Sequence, residues 1–166
     1  VRLDVCSKEV LDLPEHSRLF VGRCDATQLT EAQQSLFTHR RGVPAADIVA
    51  YFVDSTVPPS DGCAAHPPDA PGLVVSRGAG KWALAHELGH VLAGDAQDLR
   101  VDLDVMAPSS RREHTEMRAN AFASAFLMPV QRITESWRDA GQDTFARLVG
   151  ELRVSPSALS WRLHNL

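Results

Sequence analysis

The stretch Lys81-Trp82-Ala83-Leu84-Ala85-His86-Glu87-Leu88-Gly89-His90-Val91-Leu92 decides how this chain is read. Trp82, Ala85, Leu88, Gly89 and Leu92 return at intervals of three and four, the period of an amphipathic helix. Gly94 supplies a stop. Inside that helix, His86-Glu87-Leu88-Gly89-His90 matches H-E-x-x-H, a pattern whose meaning depends on helical context. Residues four apart share one helix face, with Cβ atoms about 5–6 Å apart. Two imidazoles so placed can both reach one Zn²⁺ at about 2.0–2.1 Å. Glu87 follows His86 by one residue and projects about 100° away around the helix. That places it beside an ion rather than on it, where a carboxylate can take a proton from water.

Two protein ligands leave a catalytic zinc one short. Three downstream residues can supply the third. Glu116 sits on a helix expected over 112–128, Asp95 lies five residues beyond His90, and His114 is near the start of Glu116's helix. Asn120, one turn beyond Glu116, can orient an imidazole ligand through a hydrogen bond. The longer pattern H-E-x-x-H-x-x-G-x-x-H fails, because Ala93 and Ala96 stand at its glycine and third histidine. Val105-Met106-Ala107-Pro108 superficially has the look of a methionine turn, which would go with Asp95 as the ligand. Glu116 also has a plain reading as a solvated charge near a helix N-terminus. His114 reads equally as an oxyanion-stabilising group or a surface histidine. The residues themselves leave these alternatives open.

Upstream, Leu19-Phe20-Val21 reads as a short strand ending at Gly22, and residues 27–41 as a helix closed by Arg40, Arg41 and Gly42. Ile48-Val49-Ala50-Tyr51-Phe52-Val53 reads as a buried strand. Residues 54–72, with five prolines, read as a loop, and Gly72-Leu73-Val74-Val75-Ser76 as another short strand. Val74, Val75 and Ser76 have two readings, an edge that pairs with an extended substrate or plain sheet core. Downstream, Pro108-Ser109-Ser110 reads as a turn, and Ala119, Phe122, Ala123, Phe126 and Leu127 face one side of the helix that Pro129 ends. Helices over 130–140, 143–152 and 155–164 follow, the last with Ser155 as N-cap and Pro156 in its first turn. The order predicts an α+β fold, a small sheet packed on a mainly helical body. We expect one domain over 1–166: an N-terminal α/β part (1–71), a core (72–130) and a C-terminal helical segment (131–166).

The composition is that of an ordinary globular chain: 166 residues, 44% hydrophobic, 23% charged, net charge −4. The acidic balance argues against an electrostatic grip on nucleic acid. Residues 148–163 have the length of a helix-turn-helix, yet residues 138–166 carry four arginines against three acids, too weak an excess for phosphate binding. No apolar run approaches the roughly 20 residues a membrane span needs, and no leader-like segment opens the chain. Cys6, Cys24 and Cys63 are read as free thiols of a reducing cytoplasm, with a Cys24–Cys63 bridge as the alternative.

The segments 82–90, 116–129 (Glu-Met-Arg-Ala-Asn-Ala-Phe-Ala-Ser-Ala-Phe-Leu-Met-Pro) and 152–163 resemble, in that order, the ImmA/IrrE family of zinc metallopeptidases. The likeness covers about residues 72–166. It implies a gluzincin-like site and a zincin-like body, with one zinc ion held by His86, His90 and Glu116 and with Glu87 as the catalytic base. It further implies a cytoplasmic bacterial protein that hydrolyses a peptide bond in a DNA-binding transcriptional repressor, without membrane or direct nucleic-acid contact. Two other classes remain: a zinc-stabilised regulatory binder without turnover, and a DNA-contacting module acting through the C-terminal helices.

Overall fold

In the computed structural model, which describes residues 5–24, 28–67, 69–95, 108–138 and 141–166 (side chains of 108–113 excepted), Thr30 opens the first helix by a reciprocal cap. Its hydroxyl accepts from the Gln33 N–H at 3.2 Å, and Gln33 Oε1 accepts from the Thr30 N–H at 2.9 Å. This helix, α1 (Glu31–Phe37), is shorter than expected. Arg40 does not cap it: the guanidinium donates to the carbonyls of Pro71, Pro44 and Asp47 at 2.7, 3.2 and 2.6 Å, tying the turn to neighbouring loops.

The strands form two small sheets, the first joining segments that precede and follow α1 in the sequence. In the first, β1 (Arg18–Phe20) runs parallel to β3 (Ser55–Val57). In the second, β2 (Val49–Val53) runs parallel to β5 (Gly72–Ser76), and β4 (Gly62–Cys63) joins β5 antiparallel, giving the order β2-β5-β4. Two expectations need correction. Residues 54–72 are not simply a loop, because β3 and β4 form within them. The strand β2 is not buried on both faces: Tyr51 and Val53 point inward while Ala50 and Phe52 are exposed, the alternation of a sheet-edge strand.

The strand β5 carries the sheet's core. Leu73, Val74 and Val75 are each no more than 1% exposed. It lies between β2 and β4, and the Ser76 N–H and hydroxyl both reach the Asp61 carbonyl. Val74, Val75 and Ser76 therefore form no substrate-pairing edge. Strand β4 and Asp61 use the backbone groups that an edge would have offered.

The helices follow their local signals. The helix α2 (Lys81–Ala93) ends at Gly94, whose φ of 71° closes the last turn in the left-handed region. The helix α3 (Pro108–Leu127) begins at Pro108, so the expected turn there is the first turn of the helix, a place proline tolerates. Met106 and its suggested methionine turn lie outside the described residues. Next come α4 (Val130–Arg138), α5 (Thr144–Leu152) and α6 (Pro156–His164), with the Ser155 hydroxyl accepting from the Ala158 N–H at 3.1 Å.

Three apolar clusters join these elements into an α+β fold. Leu36 and Phe37 of α1 pack with Tyr51, Val53 and Val74 on one sheet face. Leu73, Val75, Leu88 and Phe122 join the other face to α2 and α3. Met128, Ile133, Leu148 and Leu159 gather the last three helices, with Trp82 of α2 against them. No helix among the described residues is long and apolar enough to cross a membrane.

Cys24 and Cys63 are joined in a disulfide across 39 residues. This overturns the reading of both as free thiols, and that support for a reducing compartment goes with it. Their closeness arises from β4 pairing beside the turn after β1, a non-local contact that residue spacing does not display.

Candidate metal centre

Helix periodicity places His86 and His90 one turn apart on α2, and α3 crosses closely enough to bring Glu116 to them. The crossing depends on Gly89. A Cβ there would lie 3.1 Å from Ala119 Cα and 3.3 Å from the Ala119 carbonyl oxygen, so even a methyl group would press on α3 backbone. His86 Nε2 lies 3.1 Å from His90 Nε2 and 3.2 Å from Glu116 Oε2, and His90 Nε2 lies 3.8 Å from Glu116 Oε1. Among the described residues this is the group of His, Cys, Asp and Glu side chains that could hold a metal ion, its ligand atoms all within 4.8 Å of one another.

The opposite ring nitrogens are engaged. His86 Nδ1 faces Asn120 Oδ1 at 3.1 Å, and His90 Nδ1 faces Asp95 Oδ2 at 2.8 Å. With each Nδ1–H donating to oxygen, both Nε2 atoms carry lone pairs. Two such nitrogens and a carboxylate at these separations repel one another unless a cation lies among them. Oxygen partners of this kind on Nδ1 are what metal-bound histidines usually have. The donor set, two imidazoles and one carboxylate, thus fits a divalent ion.

The structure also sorts the downstream residues. Asp95, nearly buried, supports His90 from behind and forms an ion pair with Arg118, and its carboxylate is not among the converging ligand atoms. His114 is exposed on α3, two residues before Glu116, and outside the group. Sequence reasoning ranked Asp95 as a possible ligand and gave Arg118 no role. An acid just past the second histidine and a cation two residues after Glu116 were the available signals.

Glu87 points from α2 toward β4. A Cβ built on Gly62 would come within 2.5 Å of Glu87 Cγ and 3.0 Å of its Oε1, so the two residues lie face to face. Burial, then the neighbouring Glu116 charge and to a lesser degree Asp61, push the Glu87 carboxyl up to about 7, against the opposing pull of an Ala64 backbone hydrogen bond. His90 is held below the usual histidine range chiefly by burial, with Arg118 acting the same way and Glu116 against it. Gly62 and Ala64 went unread at the sequence level, since they lie in what looked like a proline-rich loop.

The C-terminal helices offer few unengaged cations. Arg132 and Arg147 both pair with Glu151 at 3.1 and 3.2 Å, and Arg162 Nε donates to the Met128 carbonyl at 3.2 Å. Lys81 donates to the Leu152 carbonyl, linking the start of α2 to the end of α5.

In comparisons with known proteins, no curated protein matches this chain. The family model described as the IrrE N-terminal-like domain, Peptidase M78, matches residues 75–164, more than half of the 166. That segment contains both histidines, Glu87, Glu116 and their supporting residues, and the chain belongs to the Peptidase M78 family.

Proposed function

We propose that this chain is a zinc-dependent metalloendopeptidase that hydrolyses a peptide bond in a protein substrate, a DNA-binding transcriptional repressor. The observation that carries the reading is the convergence of His86 Nε2, His90 Nε2 and a Glu116 carboxylate oxygen, with a buried acid, Glu87, next door. His86, His90 and Glu116 hold the ion. When bound, zinc supplies Lewis acidity, polarising a carbonyl and acidifying water. Glu87, with a carboxyl near 7, is matched to take a proton from water and return it to the leaving amide nitrogen at neutral pH. Asn120 and Asp95 fix the ring orientations. The sheet ends at β4 on the side of Glu87, and the extended substrate lies along that side.

The repressor as substrate rests on membership of the family and on the nearly balanced, largely paired charges of the C-terminal helices, which suit a protein partner better than DNA. Glu87→Gln tests the reading. We expect it to bind one zinc per chain and to lose cleavage of a repressor encoded nearby by about 10²–10⁴-fold. Glu116→Ala should lose the zinc itself, measured by metal analysis of the purified protein. Full biological activity in Glu87→Gln would favour a zinc-stabilised binder instead.

A further inference from the structure

The strand β4 contributes nothing to the ligand set, yet it is held more firmly than a two-residue strand requires. Its ladder pairs Gly62 with Val75 and Cys63 with Val74. The turn before it is tied by the Ser60 N–H donating to Thr56 Oγ1 at 2.8 Å and the Ser60 hydroxyl donating to the Gly62 carbonyl at 3.2 Å. The buried Gln33 amide reaches Cys63 Sγ at 3.2 Å. Cys63 itself is bridged to Cys24. On either side of that cysteine stand Gly62, which lacks the Cβ that would collide with the Glu87 side chain, and Ala64, whose backbone favours the charged form of that carboxyl.

We infer that β4 is the positioning strand of the catalytic base: Gly62 leaves the space the Glu87 side chain fills, and the Cys24–Cys63 bridge clamps the residue next to it. The inference rests on the reading of Glu87 as the base. It makes Gly62 and the bridge positioning elements that act through Glu87 and not on the metal. A methyl at Gly62 must push the Glu87 side chain to another rotamer, because the Gly62 backbone is fixed by the ladder and the turn. Loss of the bridge leaves zinc in place but lets residues 62–64 move away from the carboxylate.

The test compares Gly62→Ala, a Cys24→Ser/Cys63→Ser double variant and Gly78→Ala, whose Cβ would meet nothing within 4 Å and which controls for the glycine change itself. Each full chain is loaded with zinc and measured for metal content, crystal structure, deuterium uptake over 62–66 and hydrolysis of fluorescein-labelled casein. We expect one zinc per chain throughout. Glu87 should be displaced in Gly62→Ala, and uptake should be faster in the double variant. In both, kcat should fall by about a hundredfold with KM unchanged, while Gly78→Ala matches wild type. An unmoved Glu87 rotamer in Gly62→Ala, unchanged uptake in the double variant, or loss of zinc in either would overturn the inference. Should Gly62→Ala not fold, the double variant decides it by uptake and kcat. Should wild type cleave no casein, the endopeptidase reading loses support, and the rotamer and uptake still decide the role of β4.

Discussion

On the helical side of the site, His86, His90 and Glu116 stand on α2 and α3, inside the segment that matches the family. On the strand side, Gly62 and Ala64 face Glu87 from a segment that precedes the match at residue 75. The first side assembles donors for an ion; the second surrounds a proton carrier. The difference teaches that metal binding and base placement are built from separate parts of the chain, so substitutions on one side should leave the other standing.

The largest break in that comparison comes from the helical side. His90→Ala removes a ligand atom and should weaken zinc by more than the roughly 10–100-fold typical of losing a supporting partner, as read by competition with a chromogenic chelator. Asp95→Asn should fall inside that range, since the ring keeps its place but loses a charged acceptor and leaves Arg118 unpaired. Equal zinc affinity in Asp95→Asn and wild type would separate Asp95 from the metal site altogether.

A third test sharpens the strand side through pH. Between the ordinary carboxyl value of 4.5 and about 7, folded metal-free protein retains a proton on Glu87 that the unfolded chain has released. Stability therefore falls as pH rises through that window and stays lower above it. Glu87→Gln lacks the penalty, so thermal unfolding at pH 8 should show the variant more stable by about 3 kcal/mol, with no gain at pH 4. Gly89→Ala is the smallest of the four. Its methyl presses on Ala119 and should cost about 1–3 kcal/mol in urea unfolding, together with weaker zinc binding as Glu116 is pushed outward.

The helical side was legible in advance because its signals are local. The spacing of His86 and His90, Gly94 as a stop, Pro129 as a terminator and Ser155-Pro156 as a start all act within a few residues, and α2, α4, α5 and α6 formed close to where they were expected. Glu116 and Asn120 were visible as a pair one turn apart, but their approach to His86 depends on Gly89 meeting Ala119, a contact between helices. The strand side is non-local throughout. Residues 18–20 pair with residues 55–57, and Cys24 meets Cys63, across loops whose prolines hide short strands. The alternation along β2 was read as a continuous buried run because Ala50 and Phe52 are apolar although exposed. The misplacement of the sheet edge at 74–76 has the same origin, since a strand's neighbours are decided by residues far from it in the chain.

The backbone-to-backbone meeting of Gly89 and Ala119 has one more consequence. Because the crossing of α2 and α3 rests on packing, the scaffold that carries the three donors does not need the ion in order to fold, unlike small zinc modules that fold only around their metal. Loading and removal can then proceed on an intact scaffold, and a chelator should yield a reusable apoprotein rather than an unravelled one.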